Sequence, residues 1–299
     1  MPALQVVSSQ TFAGKTTVAV AVARGLAAGG AKVRLVRHGA GDAADEDALS
    51  FAAYLFASAA DKPVTRMPTA ARGETLIVEL DGGAQPDAKL PALIAVRREP
   101  TDADKSLAAS LGDCLVGSIA TSVNPAAIEA VARALTNGDL RPLALLPEDR
   151  ILAAPSVGEI GASLGARVLY AGENEREVVE DVLIGPVYAD PARPHFRRFA
   201  SKAILAPFNK TDLHLVAIET NAACLVITGG HEPSPYVIDR AQGEATTILL
   251  SQQDTSGTVA ALADVWSQTR FRGERKAEAA YAYLEGRVDF AGLARKLGA

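Results

Sequence analysis

The feature that most restricts the fold is an alternation. Short apolar runs rich in Val, Ile and Leu recur between Ala-rich stretches with helical spacing. In the first half the runs are Leu4–Val7, Lys32–Val36, Thr75–Leu80, Leu93–Val96, Cys114–Ala120 and Pro142–Leu145. Val18–Ala28 and Ala126–Leu135 are helical stretches between them, and the second opens on Asn124-Pro125. That pair places an N-cap side chain ahead of a proline whose missing N–H would have had no helical partner. Strands alternating with helices pair in parallel through right-handed crossovers, so the sequence predicts an α/β fold with a doubly wound parallel sheet.

The second half repeats the pattern on a smaller scale, with runs at Arg167–Tyr170, Lys202–Ala206, Ala223–Ile227 and Thr246–Leu250. Ser156 and Glu159 have capping-box spacing and predict a helix ending near Gly165. The segment LLPEDRILAAPS mixes prolines and charges, which puts a boundary near residue 150. A chain of 299 residues has room for about two domains. The expected division is 1–149, 150–266 and a helical tail over 267–299, with Tyr281, Leu284 and Leu293 as packing positions. The stretch IGPVYADPARPHFRRFASK reads as a long exposed connection, with Arg193, Arg197 and Arg198 in a solvated loop.

Composition narrows the function. A formal net charge of -5 argues against nucleic-acid binding, which needs clustered Lys and Arg. No apolar run reaches the length of a membrane span, and the N-terminus carries no secretory pattern, so a cytoplasmic protein with no membrane contact is expected. Cys114 and Cys224 read as free thiols in strands, and the four histidines show no metal-binding spacing.

Chemistry enters at SSQTFAGKTT, between the first apolar run and the first helix. A phosphate-binding P-loop reads G-x-x-x-x-G-K-S/T, and here Gly14, Lys15 and Thr16 stand in place while Ser9 holds the first glycine position. Such a loop aims backbone N–H groups at phosphate from a helix N-terminus, with the lysine on the outer phosphates and the next hydroxyl on magnesium. The nucleotide-binding residues predicted are Ser9, Gln10, Thr11, Ala13, Gly14, Lys15, Thr16 and Thr17. TLIVELDGG places Glu79 and Asp81 at the end of a strand, on the edge that holds the loop, and either could hold Mg²⁺ beside Thr16. Glu79 lies inside the apolar run, where a turn does not explain it, and is the metal carboxylate assigned.

AGKTTVAVAVARGLAAGGAKVRLVRHG resembles the start of the dethiobiotin synthetase and cobyrinic acid a,c-diamide synthase superfamily, and VELDGG is similar to its Val-Glu-Gly-x-Gly-Gly segment. The acidic stretch Asp42–Asp47 resembles that superfamily's Asp-x-Asp element. ILAPFNKTDLHLVAIETNAACLVITGGHEPSPYVI is similar to the DRTGG domain, a small α/β module. Together the halves resemble the N-terminal region of long-form phosphotransacetylases, without the catalytic domain.

The resemblance implies ATP or another nucleoside triphosphate with Mg²⁺ as ligand, and a regulatory role in acetyl-phosphate or acetyl-CoA metabolism. Implied partners are a small anionic metabolite and a phosphotransacetylase-related enzyme, and a homodimer is the expected assembly. Arg37, Asp45 and Asp47 would hold a substrate or second ligand, as would Lys210, Thr211, Asp212, Thr228, Gly229 and Gly230. Three departures stand out. Arg37 replaces the usual lysine, Thr121 stands where an adenine-reading asparagine is expected, and Asn209-Lys210 replaces the Asp-Arg pair of the DRTGG signature. Thr121 lacks a carboxamide's paired donor and acceptor, so weak base discrimination is expected. The alternative function is an ATP-dependent ligase acting on a small acid, with Arg37 and the acidic stretch binding it.

Overall fold

The computed structural model describes residues 2–55, 61–172, 178–186, 188–267 and 269–298. They fold as two compact units, the first built from residues 1–152 and 274–299, the second from 153–273.

The first unit runs β1 (Ala3–Val7), α1 (Lys15–Ala28), β2 (Val33–Arg37), α2 (Asp42–Tyr54), β3 (Thr75–Glu79), β4 (Ala92–Arg97), α3 (Asp102–Leu111), β5 (Leu115–Val123), α4 (Ile128–Asn137), β6 (Pro142–Pro147) and α5 (Arg150–Ala153). Its six strands form one sheet in the order β2-β3-β1-β4-β5-β6. Every pairing in it is parallel. Strands buried on both faces need no polar alternation, and β1 and β3 are buried along their whole length. Leu76, Val78, Ile94, Val96 and Ala120 belong to one core cluster, and each fully buried Val, Leu or Ile contributes ~1.5–3 kcal/mol.

The second unit runs α6 (Val157–Ser163), β7 (Arg167–Tyr170), β8 (Asp181–Ile184), α7 (Ala189–Phe196), β9 (Lys202–Pro207), α8 (Thr211–Glu219), β10 (Cys224–Thr228), α9 (Pro235–Gly243), β11 (Thr247–Leu250) and α10 (Thr255–Leu262). The order of its five strands is β7-β11-β10-β9-β8. Three pairings are parallel, and β7 runs antiparallel at one edge. Apolar clusters cover both faces, around Ile204, Leu225 and Ile248 on one and Leu205, Val226 and Leu249 on the other.

The chain then re-enters the first unit as α11 (Glu274–Leu284) and α12 (Phe290–Leu297), both packed on α1. The ring of Phe290 points at Gly25, where a Cβ would meet it at 2.2 Å. Tyr283 Oη donates to Asp149 Oδ2 at 2.9 Å and ties α11 to the segment after β6.

Three expectations are corrected. The proline-rich stretch 184–202 is not an extended connection, because residues 189–196 form α7 and bury Ala192 and Phe196, one helical turn apart. Its arginines are helical or adjacent to the helix, and Arg193 and Arg197 pair with Glu219. Cys114 precedes its strand in a 3-10 turn, with Sγ donating to Ala88 O at 3.1 Å. Both cysteines are free. The Ser156–Glu159 capping box forms, and Asn124 caps the 3-10 turn that leads into α4.

Candidate functional site

The loop between β1 and α1 lies at the C-terminal edge of the first sheet. The chain leaves β1 toward β2 on one side of the sheet and leaves β4 toward β5 on the other, so the C-terminal ends of β1 and β4 flank a switch point, the usual crevice for ligands. Gly14 has φ +73, a conformation glycine adopts without a Cβ penalty. It opens α1 with no side-chain cap and no acidic residue in the first turn. The first N–H groups of a helix have no intrahelical acceptor, so the start of α1 keeps donors and positive dipole for an anion.

Lys15 and Thr16 point to this edge by virtue of starting α1. Lys15 Nζ donates to Ser8 Oγ at 3.0 Å, and Ser8 Oγ donates to Gln10 O at 2.8 Å. Burial lowers the Lys15 pKa, opposed by the nearby Glu79 charge. Thr16 Oγ1 donates to Glu79 Oε1 at 2.9 Å. Glu79 is buried, and its Oε2 has no hydrogen-bond partner. Desolvation raises its pKa from 4.5 to about 7, against the pull of Arg37.

These residues fit a magnesium–triphosphate pair. Mg²⁺ held with phosphates takes only one or two protein ligands and keeps several waters. A hydroxyl bonded to a buried carboxylate with a spare oxygen meets that need, and among the described residues no cluster of three His, Cys, Asp or Glu side chains competes with it.

Arg37, at the end of β2, is already heavily engaged. Nε donates to Asp47 Oδ2 at 3.2 Å, Nη2 to Asp81 Oδ1 at 3.2 Å, and Nη1 to the carbonyls of His38 and Glu79. Those four bonds engage a group with five N–H donors. Asp81 is exposed, and a hydrogen bond from the Gly82 backbone, joined by Arg37, holds its carboxyl below the usual range. Asp45 is exposed on α2, and the Asp42 side chain lies outside the described residues.

Thr121 sits beneath the loop instead of beside it. Its Oγ1 donates to Ala13 O at 3.0 Å, it is 5% exposed, and its side chain lies 3.0 Å from where a Gly14 Cβ would stand. Thr11 is exposed and Thr17 half-buried in the first turn of α1. The loop also leans on α3, a contact the sequence did not announce: Ser9 Oγ donates to Asp104 Oδ1 at 2.6 Å, and Gln10 Nε2 to Asp104 Oδ2 at 3.2 Å. The Thr101–Asp104 spacing was readable only as a helix cap.

In the second unit, β9 and β10 are parallel neighbours, so the segments 209–212 and 228–230 share an edge. Lys210 is the N-cap of α8, with Thr211 and Asp212 in its first turn. Thr228 Oγ1 bonds Thr255 Oγ1 at 2.8 Å. The N–H groups of Gly229 and Gly230 donate to Gln253 O and Ser251 O at 2.7 and 3.0 Å, so that turn is closed against the loop after β11.

One comparison with known proteins bears on this second unit. The DRTGG domain family matches residues 159–265. The chain carries a DRTGG domain. A phosphate acetyltransferase of Nitratidesulfovibrio vulgaris is 26% identical over 170 residues, 52% of this chain. The match spans 24% of that relative's length. A solved structure of the CBS and DRTGG domains from the regulatory region of Clostridium perfringens pyrophosphatase, complexed with its activator diadenosine tetraphosphate, shares 20% identity. Its TM-score is 0.32, over 38% of this chain and 49% of that one. Among the described residues, no helix is long and apolar enough to cross a membrane.

Proposed function

We propose that the first unit binds a nucleoside triphosphate with Mg²⁺ at the loop 8–16, as a P-loop domain of the dethiobiotin synthetase type, and that the chain is a nucleotide-responsive regulator. The observation that carries this is the Thr16–Glu79 bond beside Lys15 at an uncapped helix start. Gly14, Lys15 and the α1 N-terminus hold the phosphates, Thr16 and Glu79 hold the metal, and Mg²⁺ neutralises phosphate charge when bound. The DRTGG domain docks a second, anionic ligand or another subunit through Lys210, Thr211 and Asp212. The relative named above supports a link with phosphotransacetylase-type metabolism, with a related enzyme as partner.

Regulation is favoured over ligation of a small acid because Arg37, the residue a ligase would spend on its substrate, is already bonded to Asp47 and Asp81. The test is calorimetric titration of Mg-ATP and Mg-GTP into wild type and Lys15→Ala. Losing a charge-assisted phosphate contact of ~1.5–3 kcal/mol lowers affinity roughly ten- to a hundredfold. Equal affinity in the two proteins removes the proposal, and ADP release that depends on an added acid favours the ligase.

A further inference from the structure

We infer that Ser9 is a side-chain anchor for the loop and that Asp104 is the positioning residue holding it, an inference that rests on the nucleotide reading above. Asp104 is fully buried at the third position of α3. One oxygen, Oδ2, completes the helix cap, accepting the N–H and hydroxyl of Thr101 at 2.9 and 2.8 Å. A capping box asks no more of its carboxylate than this. The other oxygen turns to the β1 loop, where Ser9 Oγ reaches it at 2.6 Å. That is the length of a hydroxyl–carboxylate bond with full charge assistance. Gln10 adds a second tie to Oδ2.

The backbone explains why serine is acceptable where the P-loop pattern has glycine. The left-handed residues of this loop are Phe12 at φ +53 and Gly14 at φ +73, and Ser9 is not among the positive-φ residues. Glycine at position 9 would therefore gain no strain relief. It would add chain entropy and strip a donor from a buried carboxylate. Because α3 follows β4 and the loop follows β1, the anchor spans the two strand ends that flank the switch point. It fixes the spacing between the loop and α3 before any phosphate arrives.

The inference reverses the usual expectation: restoring the P-loop glycine weakens binding. Mg-ATP affinity is measured by calorimetry, and exchange of the amides of residues 9–14 by hydrogen–deuterium exchange without ligand, in wild type, Ser9→Gly, Ser9→Ala and Ser9→Thr. Ser9→Gly and Ser9→Ala each lose about tenfold in affinity, with faster loop exchange, while Ser9→Thr keeps the hydroxyl and recovers most of the affinity. In an Asp104→Ala background the further change Ser9→Ala has no effect on affinity. If Asp104→Ala does not fold, the Ser9 series decides alone, because Ser9 is exposed. Ser9→Gly binding as tightly as wild type, or Ser9→Thr losing as much as Ser9→Ala, overturns the anchor. Wild-type protein that binds no nucleotide overturns the nucleotide reading instead, and unchanged loop exchange in Ser9→Gly then overturns the anchor independently.

Discussion

Glu79→Gln removes the one carboxylate in the site whose proton affinity the fold alters most. Desolvation lifts its pKa from 4.5 to about 7. A carboxyl whose folded-state pKa exceeds its unfolded value takes up a proton on folding at any pH between the two. Its favourable contribution is thus present below about 4.5 and disappears as pH climbs through 7. The shift corresponds to about 3 kcal/mol at ~1.4 kcal/mol per pKa unit. Urea denaturation of the nucleotide-free protein at pH 5 and pH 8 reads it directly. Wild type should lose about 2.5 kcal/mol of stability across that interval relative to Glu79→Gln, since part of the transition lies below pH 5 and every other titrating group is common to both proteins. Two stability–pH curves that run parallel would refute the assignment of a desolvated, proton-hungry carboxyl to this position.

Base discrimination should be weak, because the Thr121 hydroxyl is committed to Ala13 O; competition of GTP against ATP should give affinities within about tenfold, the lower range of a single bidentate base contact. Gly25→Ala tests the docking of α12. Helix propensity alone would stabilise by ~1 kcal/mol, whereas the clash with Phe290 destabilises by ~1–3 kcal/mol, so the melting temperature falls. In a Phe290→Ala background the same change raises it, and a rise in both backgrounds shows that the ring simply swings aside.

How much of this was legible depended on the physics behind each signal. The parallel sheet of the first unit was readable because strands buried on both faces leave unbroken apolar runs, as at residues 75–79 and 92–97. Strand β8 lies at the sheet edge and runs into the proline-rich stretch, which hid it. Helix α7 was masked by Pro191 and Pro194, since proline counts as a breaker; the first turn tolerates Pro191, whereas Pro194 lies inside the helix and removes one backbone hydrogen bond. The Ala192–Phe196 spacing was the surviving cue. The direction of β7 had no local signature, because direction belongs to the connection and not to the strand. At the site, Gly14, Lys15, Thr16 and Glu79 followed from strand–loop–helix order. The bonds of Arg37 to Asp47 and Asp81 and the bond between Ser9 and Asp104 join residues distant in sequence, and no pattern of spacing encodes them.

The return of the chain from 153–273 to the first unit changes what counts as a fragment. Helices α11 and α12 cover α1, and α1 begins with Lys15 and Thr16. During synthesis, the helix that opens with Lys15 and Thr16 is therefore complete in sequence long before its cover exists, and the ribosome must first release all of the DRTGG domain. A protein cut after residue 152 would display an Ala- and Val-rich helix face to solvent and to other copies. Any loss of function in it would report an uncovered helix, whereas joining residue 152 to residue 274 through a linker keeps α1 covered and isolates the contribution of the excised domain.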